Sequence, residues 1–411
     1  MRKKYYYLTL MLILVFVAGI FMTACGGQKQ TDNQSGQQSQ SQTQSEQSQS
    51  SGKEPIKIGH EVALTGDASM WGQSEENALQ MEIEKINAAG GVNGRPLKLI
   101  SYDNRADSIE AVNVAKRLIE QDKVVAIIGP AQSGVANAIS SVTEEAKVPF
   151  IATTATNPLV TVPKEGQLRK YAFRTCFIDP FQGRVAAQFA YYRLNAKKAA
   201  ILYDVGSDYS AWLAKYFEDA FKEMKGEIVG KEAFRSGELD YRAMLGKIKQ
   251  ANPDVIFIPT AQKEAALAAK QARDLGIKAT LMGGDNWGSP DLITLGGSAV
   301  EGGYFVNLAS MEDPDIQDFI KEYKAKFNTD PVLPNPVMAI DALYMLVDAI
   351  KRAGTTDGPA LADALENTSN LKVLTGILTI DPSTHNPLNK PAIIQQVKDG
   401  KFIYVEKYVT K

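Results

Sequence analysis

Ser133 ends the run Gly129-Pro130-Ala131-Gln132-Ser133, between an apolar stretch that reads as a buried strand and a stretch that reads as a helix. A serine hydroxyl and the free backbone N–H groups of a helix start have one chemistry in common there, the binding of an anion such as a carboxylate. An ordinary N-cap serine gives the same pattern. A second hydroxyl-bearing segment, Ala152-Thr153-Thr154-Ala155-Thr156-Asn157-Pro158, closes the next apolar run. Hydroxyls at the carboxyl ends of parallel strands are where α/β proteins put ligands. Catalytic signatures are scarce by comparison. No Walker-type glycine-lysine loop, glycine-rich dinucleotide fingerprint or serine elbow occurs beyond the N-terminal segment. Ser369-Asn370-Leu371-Lys372 has a Ser-x-x-Lys spacing, a match short enough to arise by chance. His60 and His385 are the only histidines, and Cys176 is the only cysteine after Cys25. That leaves no intrachain disulfide and no cysteine metal cluster in the body, and no cofactor is expected. The chain reads as a binder and not as an enzyme.

The elements that position these residues follow from hydrophobic period. Ile56 to Val62, Leu97 to Tyr102, Val124 to Ile128 and Phe150 to Ala152 read as strands. Between them Leu79, Ile83 and Ile86, and then Val112, Ala115, Leu118 and Ile119, form helical stripes. A second series places strands at Ala200 to Tyr203, Ile228 to Phe234, Val255 to Ile258 and Leu281 to Gly283. Helices near Trp212 to Met224, Tyr241 to Lys249 and Glu264 to Leu275 separate them. Two such series predict two α/β lobes with parallel sheets. Helices from Asp315 to Phe327 and Val337 to Arg352 follow, and a hairpin around Asp399-Gly400 closes the chain. Gly90-Gly91-Val92-Asn93-Gly94 reads as a helix stop and tight turn. With a net charge of −2 and interspersed acids and bases, nucleic acid is not an expected partner.

The N-terminus sets location. Arg2, Lys3 and Lys4 precede an apolar run from Leu8 to Phe21, which is shorter than the roughly 20 residues a membrane span needs and so reads as a signal peptide. Ala24-Cys25-Gly26-Gly27 resembles a bacterial lipobox, in which the cysteine is lipidated after cleavage; Met22 stands where Leu is usual. An uncleaved anchor helix is the competing reading. Residues 1–24 are thus read as a lipoprotein signal peptide and residues 25–54 as the lipidated Cys25 with a Gln/Ser-rich tether, whose composition cannot nucleate a core. A coil of that length reaches on the order of 25 to 30 Å.

In their order along the chain, several short motifs resemble the extracellular amino-acid-binding proteins of branched-chain amino-acid ABC transporters, with the type I periplasmic-binding-protein fold. They are Leu64-Thr65-Gly66 with Trp71-Gly72, Ile86 to Gly94, Tyr102-Asp103, Ile128-Gly129, Thr154-Ala155-Thr156, Phe173-Arg174-Thr175 with Asp179, Gln182 and Gly183, Gln271-Ala272-Arg273 with Gly276, and Met282-Gly283. The resemblance spans Ile56 to Lys411. It implies two Rossmann-like three-layer α/β/α lobes joined by a three-strand hinge, one of residues 55–174 and 309–379, the other of residues 175–308 and 380–411. It implies that Ser133, with its neighbour Gln132, and Thr156 bind a ligand carboxylate, Thr154 lending its backbone. Asp285 would pair with the ammonium, Tyr209 would close over the ligand, Trp71 would form a wall, and Ala261 and Trp287 are further expected ligand contacts. Asp285 as a helix cap, and Trp71, Tyr209 and Trp287 as packing residues, are the alternatives. Ala261, beside Gln262, and Asn335 stand near positions where branched-chain binders carry aromatics, so specificity for Leu, Ile or Val is not implied. The expected partners are an amino acid or related zwitterion, the transmembrane subunits of an ABC permease, and the membrane through the N-terminal lipid. A monomer is expected, on the outer face of a bacterial cell membrane. A sensor subunit handing its closed form to a signalling receptor is the alternative use of the same fold.

Overall fold

The structure, a computed structural model, describes residues 53–388 and 390–408. The signal peptide, Cys25 and nearly all of the Gln/Ser-rich tether lie outside the described residues. Short runs buried on both faces favour parallel sheet covered by helices, and the first half of the chain follows that rule. It runs β1 (Ile56–Val62), α1 (Ser69–Ala88), β2 (Leu97–Asp103), α2 (Ser108–Lys116), β3 (Ala126–Ile128), α3 (Ser133–Ala146), β4 (Phe150–Ala152) and β5 (Ala172–Arg174). The strands form one five-stranded parallel sheet in the order β2-β1-β3-β4-β5.

The second series runs α4 (Asp179–Gln188), β6 (Lys198–Asp204), α5 (Asp208–Glu223), β7 (Glu227–Phe234), α6 (Arg242–Ala251), β8 (Val255–Phe257), α7 (Gln262–Asp274), β9 (Thr280–Gly283), α8 (Pro290–Gly296) and β10 (Tyr304–Asn307). Then come α9 (Gln317–Phe327), α10 (Asn335–Ala353), α11 (Gly358–Glu366), the antiparallel pair β11 (Leu371–Val373) and β12 (Gly376–Leu378), and the hairpin β13 (Ala392–Lys398) and β14 (Lys401–Tyr408). The second sheet has seven strands, β14-β13-β10-β9-β8-β6-β7, antiparallel only at β13 and β14. Although α10 and α11 follow the second sheet in sequence, they share a buried core with Ile56, Ile58, Leu79 and Ile151 of the first lobe. Asp399 and Gly400 both take positive φ in the β13–β14 turn, as the Asp-Gly signal predicts.

Two features depart from the predicted pattern. The buried stripe of α2 is Ala111, Val114 and Ala115, continued by Leu118, whereas Val112 and Ile119 are half-buried, a rotation of one residue from the predicted face. Strands β5 and β10 were not predicted; each ends in a polar residue, Arg174 and Asn307, that is nonetheless buried.

Strand β1 also carries two adjacent, fully buried ionisable groups, His60 and Glu61. His60 Nδ1 lies 2.6 Å from Glu76 Oε2 and Nε2 lies 3.3 Å from Glu75 Oε1, both on α1. Burial alone would lower the imidazole, but the hydrogen bonds and charges of the two glutamates outweigh it and raise its pKa from 6.5 to about 9. Glu61 accepts one bond, from Asn104 Nδ2 at 3.4 Å, and burial pushes its carboxyl up from 4.5 to about 8. Each group keeps in the folded state a proton that the unfolded chain releases. Stability is therefore lost as pH rises, between 4.5 and about 8 for Glu61 and between 6.5 and about 9 for His60. Melting followed from about pH 6 to about pH 9.5 is expected to show a falling Tm, with a shallower fall in Glu61→Gln. A flat or rising profile would contradict it.

Candidate functional site

The strands of both sheets point their carboxyl ends at one cleft, and the segments leaving those ends build its walls. After β3, Gly129 takes φ of +90°, and a Cβ there would lie 2.4 Å from the Glu61 carbonyl, so only glycine lets the chain turn from strand into α3. Ser133 is the first residue of α3 and follows the N-cap residue Gln132. Its hydroxyl accepts from the Asn157 N–H at 3.2 Å, tying the start of α3 to the segment after β4. That segment is held from beneath by Arg174 at the end of β5. The Arg174 guanidinium is fully buried and donates to the carbonyls of Ala155 at 2.7 Å and Asn157 at 2.8 Å. Burial lowers its pKa.

In the opposite wall, Asp285 follows β9. Its Oδ1 accepts from Tyr209 Oη and from Gln182 Nε2, each at 2.8 Å. A Cβ on Gly284 would lie 2.2 Å from the Tyr209 hydroxyl, so this glycine leaves the space in which tyrosine and aspartate meet. The alternative role of Asp285 as a helix cap is not seen, since Ser289 caps α8 by accepting from the Asp291 N–H. Asp285 is nearly fully buried, and burial raises its pKa. Nearby Asp179, at the start of α4, is pushed up to about 8 by burial and by the charge of Asp285. A buried carboxylate with two neutral donors and no cation is poised for a cationic group.

Between the walls lies a cavity of about 450 Å³. Of the residues singled out from sequence, Trp71, Gln132, Ser133, Thr154, Tyr209, Ala261 and Asp285 all line it. Two others need correction as lining residues. Thr156 is fully buried behind the wall, where its carbonyl accepts from the Asp179 N–H at 2.9 Å. Trp287 is a packing residue: its ring is fully buried under Gly283, within the core of the second lobe, and its Nε1–H donates to the Ile258 carbonyl at 3.0 Å. The cavity adds residues that sequence reasoning passed over, among them Asp67 and Arg105 of the first lobe and Ser207, Ser236 and Asn286 of the second. Their signal was position: all follow the carboxyl ends of strands.

Bonds also cross the mouth from lobe to lobe. Lys263 Nζ lies 2.5 Å from Asp67 Oδ1, and Gln262 Nε2 donates to the Asp67 carbonyl at 3.2 Å. Asn137 Nδ2 donates to Asp208 Oδ2, and Asn157 Nδ2 to the Asp208 carbonyl, both at 3.1 Å. Among the described residues no three His, Cys, Asp or Glu side chains converge as a metal site requires, and no helix is long and apolar enough to cross a membrane. The arrangement suits a small molecule with an anionic and a cationic end, closed off between two lobes.

Comparison with known proteins agrees with this geometry. A family model described as periplasmic binding protein matches residues 55–401. The "Leu/Ile/Val-binding protein homolog 3" of Brucella melitensis is 28% identical over 85% of this chain and 94% of its own length. The "Leucine-, isoleucine-, valine-, threonine-, and alanine-binding protein" of Pseudomonas aeruginosa is 30% identical over 80% of this chain and 86% of its own. Among solved structures, the leucine-binding protein LivK of Thermotoga maritima is 35% identical with a TM-score of 0.79, covering 86% of this chain and 98% of that one. The branched-chain amino acid transporter substrate-binding protein LivJ of Streptococcus pneumoniae, in complex with isoleucine, is 31% identical with a TM-score of 0.78, covering 87% and 99%. With the family model matching residues 55–401 and these structures matching over nearly their whole length, the chain belongs to the periplasmic binding protein family, in its Leu/Ile/Val-binding-protein-like branch with the type I fold.

Proposed function

We propose that this protein is an extracytoplasmic receptor that captures an amino acid between its two lobes and delivers it to an ABC permease. The observation that carries this reading is the opposition of Ser133 and the start of α3 on one wall to Asp285 on the other. A carboxylate meets hydroxyl and N–H donors at one end, and an ammonium meets a buried carboxylate at the other. The amino-acid-binding relative of Pseudomonas aeruginosa and the isoleucine held by the Streptococcus pneumoniae protein support the same reading. Closure is proposed to turn about crossings near residues 175–179, 306–308 and 380–381, dividing residues 55–174 with 309–379 from residues 175–308 with 380–411. Binding stabilises the closed form by its differential affinity for that form. Screening the full chain against all the common amino acids at millimolar concentration is expected to give a thermal upshift with at least one, and no upshift with any would refute the reading.

Ser133→Ala is expected to lower affinity by about 1 to 3 kcal/mol, because it removes one donor to the ligand carboxylate. Unchanged affinity in calorimetry would limit Ser133 to its bond with Asn157. Cys25 is proposed as the lipid anchor that keeps the receptor beside its permease. One acyl chain binds a membrane only marginally, so a diacyl modification fits the role. Cys25→Ser is expected to release the protein into the medium, and retention in the membrane fraction would point to an uncleaved helix.

A further inference from the structure

The amino-acid reading leaves open which side chain the cavity takes, and the lining residues bear on that directly. Apart from Pro334, no aliphatic side chain larger than alanine lines the cavity. A leucine or isoleucine side chain enclosed there would meet amides, hydroxyls and two aromatic rings in place of a hydrocarbon wall. Trp71 is only 8% exposed, and its Nε1–H has no hydrogen-bond partner. Gln132 Oε1 is likewise buried without a partner. Gln262 and Asn335, at 2% and 6% exposure, each donate one amide N–H, to the Asp67 carbonyl and to Glu75 Oε2. Each therefore has its carbonyl oxygen left to offer. The lining combines two strong donors, the indole N–H and the Arg105 guanidinium near the mouth, with several acceptors.

We propose that this cavity selects an amino acid whose neutral side chain both donates and accepts hydrogen bonds, a carboxamide being the best fit, over the aliphatic amino acids. The inference rests on the amino-acid reading above. An aliphatic ligand would exclude water while leaving Trp71 Nε1–H and Gln132 Oε1 unpaired, and sites built to hydrogen-bond a substrate reject analogues that lack the matching group. Arg105 on the cavity wall would attract an acidic side chain, but such a side chain has no donor for the amide oxygens. A cationic one would need a carboxylate, but Asp67 is engaged by Lys263 and Glu75 by His60 and Asn335.

Calorimetric titration of the purified full chain with glutamine, asparagine, serine, threonine, leucine, isoleucine, valine and glutamate decides the matter. The expected result is at least about tenfold tighter binding of one of the four neutral polar ligands than of any aliphatic one or of glutamate. Gln132→Leu is expected to shrink that ratio, and Trp71→Phe, which keeps the ring and removes the N–H, provides a second variant should the first fold poorly. Tighter binding of an aliphatic amino acid or of glutamate would overturn the inference and leave the amino-acid reading standing. Binding of no amino acid would overturn both.

Discussion

Replacing Asp285 with asparagine is expected to weaken amino-acid binding by about 2 to 5 kcal/mol, roughly 30-fold to a few thousand-fold, without loss of stability in the unliganded protein. The two effects separate because of where the charge sits. Asp285 is 4% exposed, its carboxylate holds only the neutral donors Tyr209 and Gln182, and burial raises its pKa. Without ligand the charge is a burden, and asparagine keeps an oxygen to accept from Tyr209 and Gln182 while removing that burden. With ligand, the same substitution leaves a buried ammonium facing a neutral amide. Calorimetry measures the first change and chemical denaturation the second. Equal affinity in the variant would place the ammonium elsewhere, and a large loss of stability would show that the carboxylate is structural.

Arg174→Met is expected to lower stability by about 2 to 4 kcal/mol and to weaken ligand binding as well, although Arg174 does not line the cavity. Two buried carbonyls, those of Ala155 and Asn157, would lose their guanidinium donors. Since the Asn157 N–H in turn donates to the Ser133 hydroxyl, the segment after β4 would no longer fix that hydroxyl in place. Arg174→Lys should fall between, because a single ammonium cannot reproduce the fork that reaches both carbonyls. Urea unfolding checks the stability and calorimetry the affinity. A Met variant as stable as the parent would mean that water or a backbone shift replaces the guanidinium.

The same arginine explains part of what sequence reading missed. Strand β5 is Ala172-Phe173-Arg174, and a charged residue at its end makes the run look too short for a strand, yet Arg174 is wholly buried. In α1 the buried face includes Ser74, Glu75 and Glu82 beside Leu79 and Ile83, so its apolar stripe looked narrower than the buried face is. The bounds of β1 and β4 were legible from Ile56, Ile58 and Val62 and from Phe150 to Ala152, although β1 also buries His60 and Glu61. Cavity-lining hydroxyls were legible where they closely followed an apolar run, as with Ser133 and Thr154, whereas Asp285 was singled out through the family resemblance. Arg105 and Ser236 stand in polar loops whose composition is that of any solvated turn, and only the convergence of strand ends brings them to the cavity. Trp287 failed in the opposite direction, because nothing in the order Gly283-Gly284-Asp285-Asn286-Trp287 tells which way the ring turns.

The bonds across the mouth carry a consequence in time. The Lys263 and Asp67 side chains are 42% and 76% exposed, and exposed ion pairs contribute at most about 1 kcal/mol, less as salt rises. Together with the three hydrogen bonds of Gln262, Asn137 and Asn157 the pair makes a light clasp, so on the receptor reading the lifetime of the shut form is set chiefly by what lies inside. On the receptor reading proposed above, discrimination among solutes becomes a matter of dwell: a poorly matched molecule escapes before anything downstream can respond, and a well-matched one outlasts that delay.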